Sequence, residues 1–367
     1  MTVKRIIISG GGTAGHIYPA LAVGKKILEK APGCSLTFVG TRRPLEKRIM
    51  ERAGVPFIPL RIEGLKGRGL KALRAALLLP FALLKSLALL VRIRPDLVIG
   101  VGGYSAGPIV LLASWMGIPT LIMEQNTRPG MTNRLLSRWV RKAVVAFESS
   151  LPYFRGKGVF IGNPVRESFY TLPPKPRNNR LSVLVFGGSQ GSHFLNKGMR
   201  DALPYLRKER HRLRIFHQTG DRDLLWIEEG YAREGFQDVT VAPYFEDMDA
   251  YFQKADLVIS RAGASTIAEL IASRKASVLI PFSQATDDHQ LWNARELEKV
   301  HGAVVLREEE FDPRVFAEKI LDFLDHKDRL DTMEKNLSAL RTENVAEKIV
   351  DECFRLMNAN YQEKARG

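Results

Sequence analysis

The sequence predicts an α/β protein made of two Rossmann-like units, each built around a parallel sheet. Short apolar runs rich in Val and Ile alternate with longer helical patterns, which is typical of parallel strands covered by helices on both faces. Each half begins with the same pattern of strand, glycine turn and helix, at residues 5–27 and at residues 181–199. The chain has 367 residues, which is enough for two domains of ordinary size.

The predicted strands form two sets of six. Those of the first half cover residues 3–9, 35–39, 56–60, 96–101, 119–123 and 143–147. Those of the second half cover residues 181–187, 213–218, 238–242, 256–260, 277–281 and 303–306.

A polar connector separates the two halves. The first half closes on Gly162-Asn163-Pro164, and residues 171–180 read TLPPKPRNNR, which is typical of a linker. We expect an N-terminal domain over residues 1–163, a hinge over 164–180, a C-terminal domain over 181–341, and a terminal helix and tail over 342–367.

The positive charge is concentrated in the first half. The chain has a formal net charge of +15, and residues 1–165 alone hold 25 Lys and Arg against 7 Asp and Glu. Such asymmetry indicates an anionic partner for the first half, either lipid or nucleic acid. The alternative is a set of solvated charges with no partner.

The segment from Gly64 to Pro95 favours lipid. Cations precede, interrupt and close a leucine-rich run, and Pro80 and Lys85 fall inside it, so a membrane-spanning helix is not expected. An apolar surface with a basic rim binds anionic headgroups and acyl chains together. The sequence contains no RNA-binding signature and the run is leucine-rich rather than aromatic, so nucleic acid is not the predicted partner.

The remaining composition predicts a cytoplasmic protein without a metal. The two cysteines, Cys34 and Cys353, are too few for a disulfide framework, and the N-terminal residues do not resemble a secretory signal. Neither His nor carboxylate residues cluster at metal-ligand spacing, so we expect no metal site.

The first glycine turn, GGGTAG at residues 10–15, follows a strand and opens a helix. Its backbone N–H groups are suited to a phosphate, and His16 comes directly after it. A histidine there either caps or solvates the helix start, or acts as a general base. A nicotinamide-dependent dehydrogenase would carry an acid after the second strand, where this chain has Arg42 and Arg43. That interpretation therefore becomes less favoured, although an NADP enzyme stays open.

Further polar residues follow later strands of the first half. Tyr104 follows the fourth predicted strand and Asn126 the fifth. Ligands of open α/β sheets bind beyond the carboxyl ends of strands, so these residues are candidates for substrate binding. Ordinary turns also favour Gly, Ser and Asn, which is the alternative explanation.

The second half carries a denser set of candidates. The turn GGSQG contains Ser189 and Gln190, and the segment RAGASTIAE opens a helix at Gly263 with N–H groups suited to a diphosphate. Glu269, one turn later, is suited to two ribose hydroxyls. Arg166 lies at the hinge within reach of phosphate, and residues 287–293 bring amides and acids suited to sugar hydroxyls, among them Gln290 and Asn293.

Seven segments, in this order, resemble one family. They are GGGTAGHIYPALA, VGGYSAGP, MEQN, IGNPVR, FGGSQG, SRAGASTIAEL and HQLWNA, and they span nearly the whole chain. They are similar to the MurG family of glycosyltransferases of peptidoglycan synthesis. The resemblance implies a GT-B fold, in which two Rossmann-like domains face each other across a cleft.

The same resemblance implies the reaction and its surroundings. N-acetylglucosamine would pass with inversion from UDP-N-acetylglucosamine to undecaprenyl-diphosphate-linked N-acetylmuramyl-pentapeptide (lipid I), forming lipid II. The sugar nucleotide would be a substrate, with no cofactor and no metal. The protein would lie peripherally at the cytoplasmic face of the cell membrane, with cell-wall synthesis proteins as possible partners.

The resemblance also implies roles for individual residues. Thr13, Ala14 and Gly15 match the family's donor-and-acceptor loop, and Asn126 its sugar-contacting asparagine. Arg166 and Ser189 match phosphate contacts, and Phe245 the position whose backbone holds uracil. The pyrophosphate and ribose site would comprise Ala264, Ser265, Thr266, Ile267, Ala268 and Glu269, and Gln290 would contact the N-acetylglucosamine.

Two positions depart from the family pattern. Met123 stands where some members have His, so His16 becomes the provisional general base. His289 stands where some members have a second Gln, which leaves that donor contact open. Two alternatives remain: a GT-B-fold epimerase acting on UDP-N-acetylglucosamine alone, and a non-catalytic basic module that binds membrane or nucleic acid.

Overall fold

The computed structural model describes residues 3–12, 14–62, 70–173, 175–176 and 178–366. They form two compact units. The first comprises Met1–Val165 together with Asn344–Gly367, and the second comprises Arg166–Glu343.

In its described residues the first unit contains a seven-stranded sheet in which every pairing is parallel. The strand order is β3-β2-β1-β4-β5-β6-β7. The strands are β1 Arg5–Ser9, β2 Ser35–Gly40, β3 Phe57–Pro59, β4 Leu97–Gly100, β5 Thr120–Glu124, β6 Lys142–Val145 and β7 Gly158–Phe160.

Helices cover this sheet because its strands are apolar on both faces. The helices are α1 Ala14–Lys30, α2 Pro44–Arg52, α3 Leu70–Ile93, α4 Ala106–Trp115 and α5 Met131–Leu136, and α13 Val345–Arg366 comes from the end of the chain. Alternate residues of β1 illustrate the arrangement. Ile6 and Ile8 pack in a core with α1 and α13, whereas Ile7 packs in a second core with α3 and α4.

The second unit is built in the same way around six parallel strands, counted over the residues that the structure describes. Their order is β10-β9-β8-β11-β12-β13. The strands are β8 Leu181–Phe186, β9 Leu213–Gln218, β10 Val239–Ala242, β11 Leu257–Ser260, β12 Ser277–Leu279 and β13 Ala303–Val305. The helices are α6 His193–Leu206, α7 Leu224–Arg233, α8 Met248–Lys254, α9 Ala264–Ser273, α10 His289–Lys299, α11 Pro313–Asp325 and α12 Lys327–Leu337.

The predicted fold class is confirmed. Each of the twelve predicted strands is present, and the observed ends differ from the predicted ends by at most two residues. Strand β7 was not predicted from the sequence, because its short apolar run is flanked by glycines at positions 156, 158 and 162.

The terminal helix α13 packs on the first unit, although it directly follows the second unit in sequence. Its Ile349 and Cys353 are fully buried in the core that contains α1. Lys30 of α1 forms ion pairs with Glu347 at 2.8 Å and with Asp351 at 2.7 Å. This helix was predicted from the sequence as a segment separate from both domains.

Candidate functional sites in the two units

In the first unit, three turns that carry predicted site residues lie at one edge of the sheet. β1, β4 and β5 are consecutive neighbours in it, and all three run in the same direction. His16, Tyr104 and Asn126 follow these strands in turn. The parallel arrangement therefore brings the predicted residues to the same end of the sheet, where α/β proteins bind ligands.

His16 lies in the first turn of α1 and is half-buried. Its Nε2 faces the turn after β4, where Gly102 has a φ of +92°. A Cβ placed on Gly102 would lie 2.8 Å from that nitrogen, so only glycine leaves the imidazole its place. The turn after β4 thus packs directly on the predicted general base.

The other predicted residues of the first unit lie at the start of α1, at the surface and in the core. Ala14 and Gly15 are the first two residues of α1, and Thr13 lies outside the described residues. Tyr104 is 40% exposed, so its ring is available to a ligand. Met123 is buried in the core of the unit.

Glu46, which was not predicted from the sequence, braces the first glycine turn. Its Oε2 accepts hydrogen bonds from the backbone N–H of Gly12 at 3.4 Å and of Thr41 at 3.1 Å, and from the Thr41 hydroxyl at 2.5 Å. Burial raises the pKa of this carboxyl, and the bonds from Thr41 and Gly12 oppose the shift. A carboxylate from α2 therefore ties the loop after β1 to the loop after β2.

A second buried carboxylate, that of Glu124, positions Asn126. Its Oε1 accepts from the Asn126 backbone N–H at 2.9 Å and from the Asn126 side-chain amide at 3.1 Å. Its Oε2 accepts from the Gly130 N–H at 3.1 Å and the Asn133 amide at 2.9 Å. Burial raises the pKa of Glu124, and these four bonds oppose the rise. Glu124 could have been recognised from the sequence, because it is an acid at the end of an otherwise apolar strand.

In the second unit, the predicted diphosphate site is the start of α9. Gly263 is its N-cap residue, and a helix start presents N–H groups that have no acceptor within the helix. The Ser265 hydroxyl is buried and has no hydrogen-bond partner among the described residues. Thr266 and Ala268 are half-buried, whereas Ile267 is fully buried and offers a ligand only its backbone.

Glu269 belongs to a charged cluster with Arg166 and Asp249. Burial raises the pKa of Glu269 to about 7, the Arg166 cation opposes this shift, and the Asp249 anion adds to it. Arg166 Nη1 lies 3.7 Å from Asp249 Oδ1. The hinge arginine and the predicted ribose-binding acid are therefore electrostatically coupled within the second unit.

Arg261 holds the start of α9 in place, a role that the sequence analysis did not assign. Its guanidinium pairs with Glu308 at 2.5 Å, donates to Ser192 Oγ at 3.0 Å and donates to the Ile280 carbonyl oxygen at 3.0 Å. Arg261 is 8% exposed. Burial lowers its pKa, and the Glu308 carboxylate opposes that shift. The network joins the turns that follow β8, β11, β12 and β13.

Two further turns carry predicted donor contacts. Ser189 and Gln190 are exposed in the turn after β8. Phe245 follows β10, is 3% exposed, and stacks on Tyr251 with 3.8 Å between ring centroids. Its backbone N–H donates to Gln218 Oε1 at 2.8 Å.

The predicted residues at the start of α10 are two half-buried side chains and one fully buried amide. The Phe282 backbone N–H donates to Gln290 Oε1 at 3.0 Å, and His289 Nδ1 donates to the Thr286 carbonyl oxygen at 2.6 Å. Asn293 is fully buried and donates to the Ala262 carbonyl oxygen at 3.3 Å. The structure thus places Asn293 beneath the α9 start, where it supports the backbone.

Within the described ranges, the structure groups no three His, Cys, Asp or Glu side chains in a way that would hold a metal ion.

Comparison with known proteins gives consistent results for both units. Residues 6–145 match the glycosyltransferase family 28 N-terminal domain, and residues 182–349 match the family 28 C-terminal domain. The chain is 42% identical over 359 residues to the UDP-N-acetylglucosamine–N-acetylmuramyl-(pentapeptide) pyrophosphoryl-undecaprenol N-acetylglucosamine transferase of Myxococcus xanthus, covering 97% of this chain and 94% of that protein.

Solved structures agree with this result. The crystal structure of Acinetobacter baumannii MurG has a TM-score of 0.79 and 29% identity, covering 96% of this chain and 99% of that one. The UDP-GlcNAc 2-epimerase of Neisseria meningitidis has a TM-score of 0.67, with 96% and 100% of the two chains covered, but its 12% identity shows only a shared fold. The chain therefore belongs to glycosyltransferase family 28 and, within it, to the MurG family of N-acetylglucosamine transferases.

Proposed function

We propose that this chain transfers N-acetylglucosamine from UDP-N-acetylglucosamine to undecaprenyl-diphosphate-linked N-acetylmuramyl-pentapeptide, and so forms lipid II. The observation that carries the proposal is 42% identity to a transferase of that name over 97% of the chain. The residues of the two units are chemically suited to the two substrates.

The second unit binds the sugar nucleotide. The α9 start and its buried Ser265 hydroxyl receive the diphosphate, whose charge the helix dipole favours. Glu269 accepts hydrogen bonds from the ribose hydroxyls, and the carbonyl oxygen of Phe245 faces the uracil. Arg166 adds a cation for the leaving diphosphate, and Gln290 contacts the N-acetylglucosamine.

The first unit binds the acceptor and removes its proton. The acceptor hydroxyl oxygen attacks the anomeric carbon from the face opposite UDP, and the bond between that carbon and the diphosphate oxygen breaks. His16 takes the hydroxyl proton, and UDP leaves with the bonding electron pair. Inversion follows from this single in-line displacement, and His16 contributes about 10²–10⁴-fold to the rate.

An apolar face of α3 is the proposed membrane contact. Leu77, Phe81, Leu84 and Val91 are 62%, 69%, 65% and 55% exposed, and they recur at helical spacing. Ala82, Ser86, Leu89 and Leu90 point the other way and are buried. No helix in the described ranges is long and apolar enough to span a membrane. Lys66 and Arg68, from the basic segment in front of α3, lie outside those ranges.

A second element of the first unit presents the same chemistry. Leu135 and Trp139 are exposed, and exposed Arg134, Arg138 and Arg141 alternate with them. The Trp139 ring makes an edge contact with Trp115 of α4, with 6.3 Å between centroids. Apolar side chains among arginines suit the interface of an anionic membrane, which supports a peripheral location at its cytoplasmic face.

The reaction is tested with radiolabelled UDP-N-acetylglucosamine and lipid I in anionic vesicles. A lipid-bound disaccharide is expected, and undecaprenyl diphosphate without the sugar is the matched control acceptor. Activity should persist in EDTA, because backbone N–H groups and Arg166 take the role of a metal at the diphosphate. Transfer to a different lipid, with none to lipid I, would keep the class of reaction and refute the acceptor.

Incubation with the donor alone separates this function from epimerisation. A GT-B-fold epimerase would convert UDP-N-acetylglucosamine without any lipid, whereas the transferase leaves its sugar unchanged. A non-catalytic basic module would bind no UDP-sugar in a calorimeter.

A further inference from the structure

Gln218 ends β9 in the second unit, and the mechanism proposed above assigns it no role. It is 1% exposed. A buried amide with two hydrogen-bonding ends must find partners for both of them. The partners of Gln218 are informative, because both lie in turns that belong to the proposed donor site.

The Gln218 side chain joins the turn after β8 to the turn after β10. Its Oε1 accepts a hydrogen bond from the Phe245 backbone N–H at 2.8 Å. Its Nε2 donates to the Gly188 carbonyl oxygen at 2.9 Å. Both bonds have good length, so this amide sets the separation of the two turns.

The backbone that follows Gln218 reinforces this link. The Thr219 N–H donates to the Ala242 carbonyl oxygen and the Gly220 N–H to that of Pro243, each at 3.0 Å. On the other side, a Cβ on Gly220, whose φ is +77°, would lie 2.3 Å from the Gln190 carbonyl oxygen. The segment 218–220 therefore lies against both turns.

We infer that Gln218 is a positioning residue for the sugar-nucleotide donor. It holds the Gly188 turn, beside the diphosphate, and the Phe245 peptide, beside the uracil, at the separation that one nucleoside diphosphate spans. Gln218 acts through these turns and contacts no reacting atom, so its loss changes donor affinity rather than the chemical step. The inference rests on the proposed function.

Two variants test the two hydrogen bonds separately. Gln218→Met keeps the volume and removes both bonds. Gln218→Glu keeps an acceptor for the Phe245 N–H and removes the donor to Gly188. Calorimetry gives the Kd of UDP and of uridine, and the lipid I assay gives kcat and the KM of the donor. Gln237→Met, at an exposed position of the same unit, is the matched control.

For Gln218→Met, we expect the Kd of both ligands and the donor KM to rise about tenfold, with kcat at saturating donor within about twofold of the wild type. For Gln218→Glu, we expect the Kd of UDP to rise and the Kd of uridine to stay unchanged, because the hydrogen bond from the Phe245 N–H is kept. If Gln218→Met does not fold, the binding measurements on Gln218→Glu test the inference by themselves.

Lower thermal stability with unchanged UDP and uridine affinity would overturn the inference, and so would a fall in kcat at unchanged Kd. If the wild-type protein is active in the lipid I assay, either of these results overturns only the role of Gln218 and not the proposed function. A wild-type protein that binds no UDP would instead refute the proposed function itself.

Discussion

The two units share one architecture and differ in what surrounds the carboxyl ends of their strands. In the first unit, buried carboxylates hold the turns: Glu46 ties the turns after β1 and β2, and Glu124 holds the segment after β5. In the second unit, a buried cation and a buried amide do so, through Arg261 and Gln218. The corresponding edges of the two sheets are thus braced by different kinds of group.

Their outer surfaces differ as well. The first unit exposes apolar side chains of α3 among cations, and residues 1–165 carry a net charge of +18. The second unit pairs many of its charges with one another, as in the contacts of Arg180 and Arg214 with Asp238. A parallel sheet thus supplies the place for a site, whereas the chemistry of the loops and of the surface decides which substrate suits it.

The largest expected effect tests the assignment of proton removal to the first unit. We expect His16→Ala to lower kcat by about 10²–10⁴-fold and to leave the Kd of UDP within about twofold, because the residues proposed to bind UDP lie in the second unit. The measurements are steady-state turnover with lipid I and calorimetry with UDP. His211→Ala, at an exposed histidine, is the control. Unchanged turnover would remove His16 from the mechanism.

The next effect concerns the buried ion pair of the second unit. Arg261→Met leaves Glu308 without its cation, and loss of one partner of a buried pair costs about 3–5 kcal/mol in the free energy of unfolding. Hydrogen exchange should show the loss in peptides of the second unit and none in those of the first. The double variant Arg261→Met/Glu308→Met should recover part of it. Equal losses in both units would contradict a local role for this ion pair.

A smaller effect follows from the pKa of Glu269. Because this pKa is about 7 in the folded protein, above the ordinary value of 4.5, the folded state binds more protons between those pH values. Stability therefore falls as pH rises from about 5 to 8, by on the order of 1–3 kcal/mol. Hydrogen exchange of α9 should show this slope, and Glu269→Gln should flatten it. If stability still falls with pH in the Glu269→Gln variant, the pH dependence comes from another titratable group.

The smallest effect compares two exposed leucines, one on each unit. We expect Leu84→Asp on α3 to weaken binding to anionic vesicles by about tenfold, because it replaces an apolar contact with an anion. Leu225→Asp, at a leucine that is 72% exposed in the second unit, should leave vesicle binding unchanged. Vesicle sedimentation measures both. Equal losses would show that the apolar face of α3 has no special role.

Much of this architecture could be predicted from local pattern. Apolar runs indicated twelve of the strands, and glycine turns after them indicated candidate ligand sites. The residues that brace these turns, such as Glu46 and Gln218, could not be predicted from local pattern. Glu46 is 34 positions from Gly12, and Gln218 is 27 from Phe245, so their partners depend on which strands become neighbours. Strand order is a property of the whole sheet, and the periodicity of one strand carries no information about it.

The α/β class, the two repeated units, the family motifs and the charge difference between the halves can all be read from the sequence. Each of these is a local or additive property, readable from the order of residue types. The packing of α13 on the first unit, the burial of Asn293 and Ile267, and the effect of the Arg166 charge on Glu269 become visible only in the folded chain. Such facts depend on contacts between distant segments, because burial and charge proximity, unlike composition, exist only once the chain has folded.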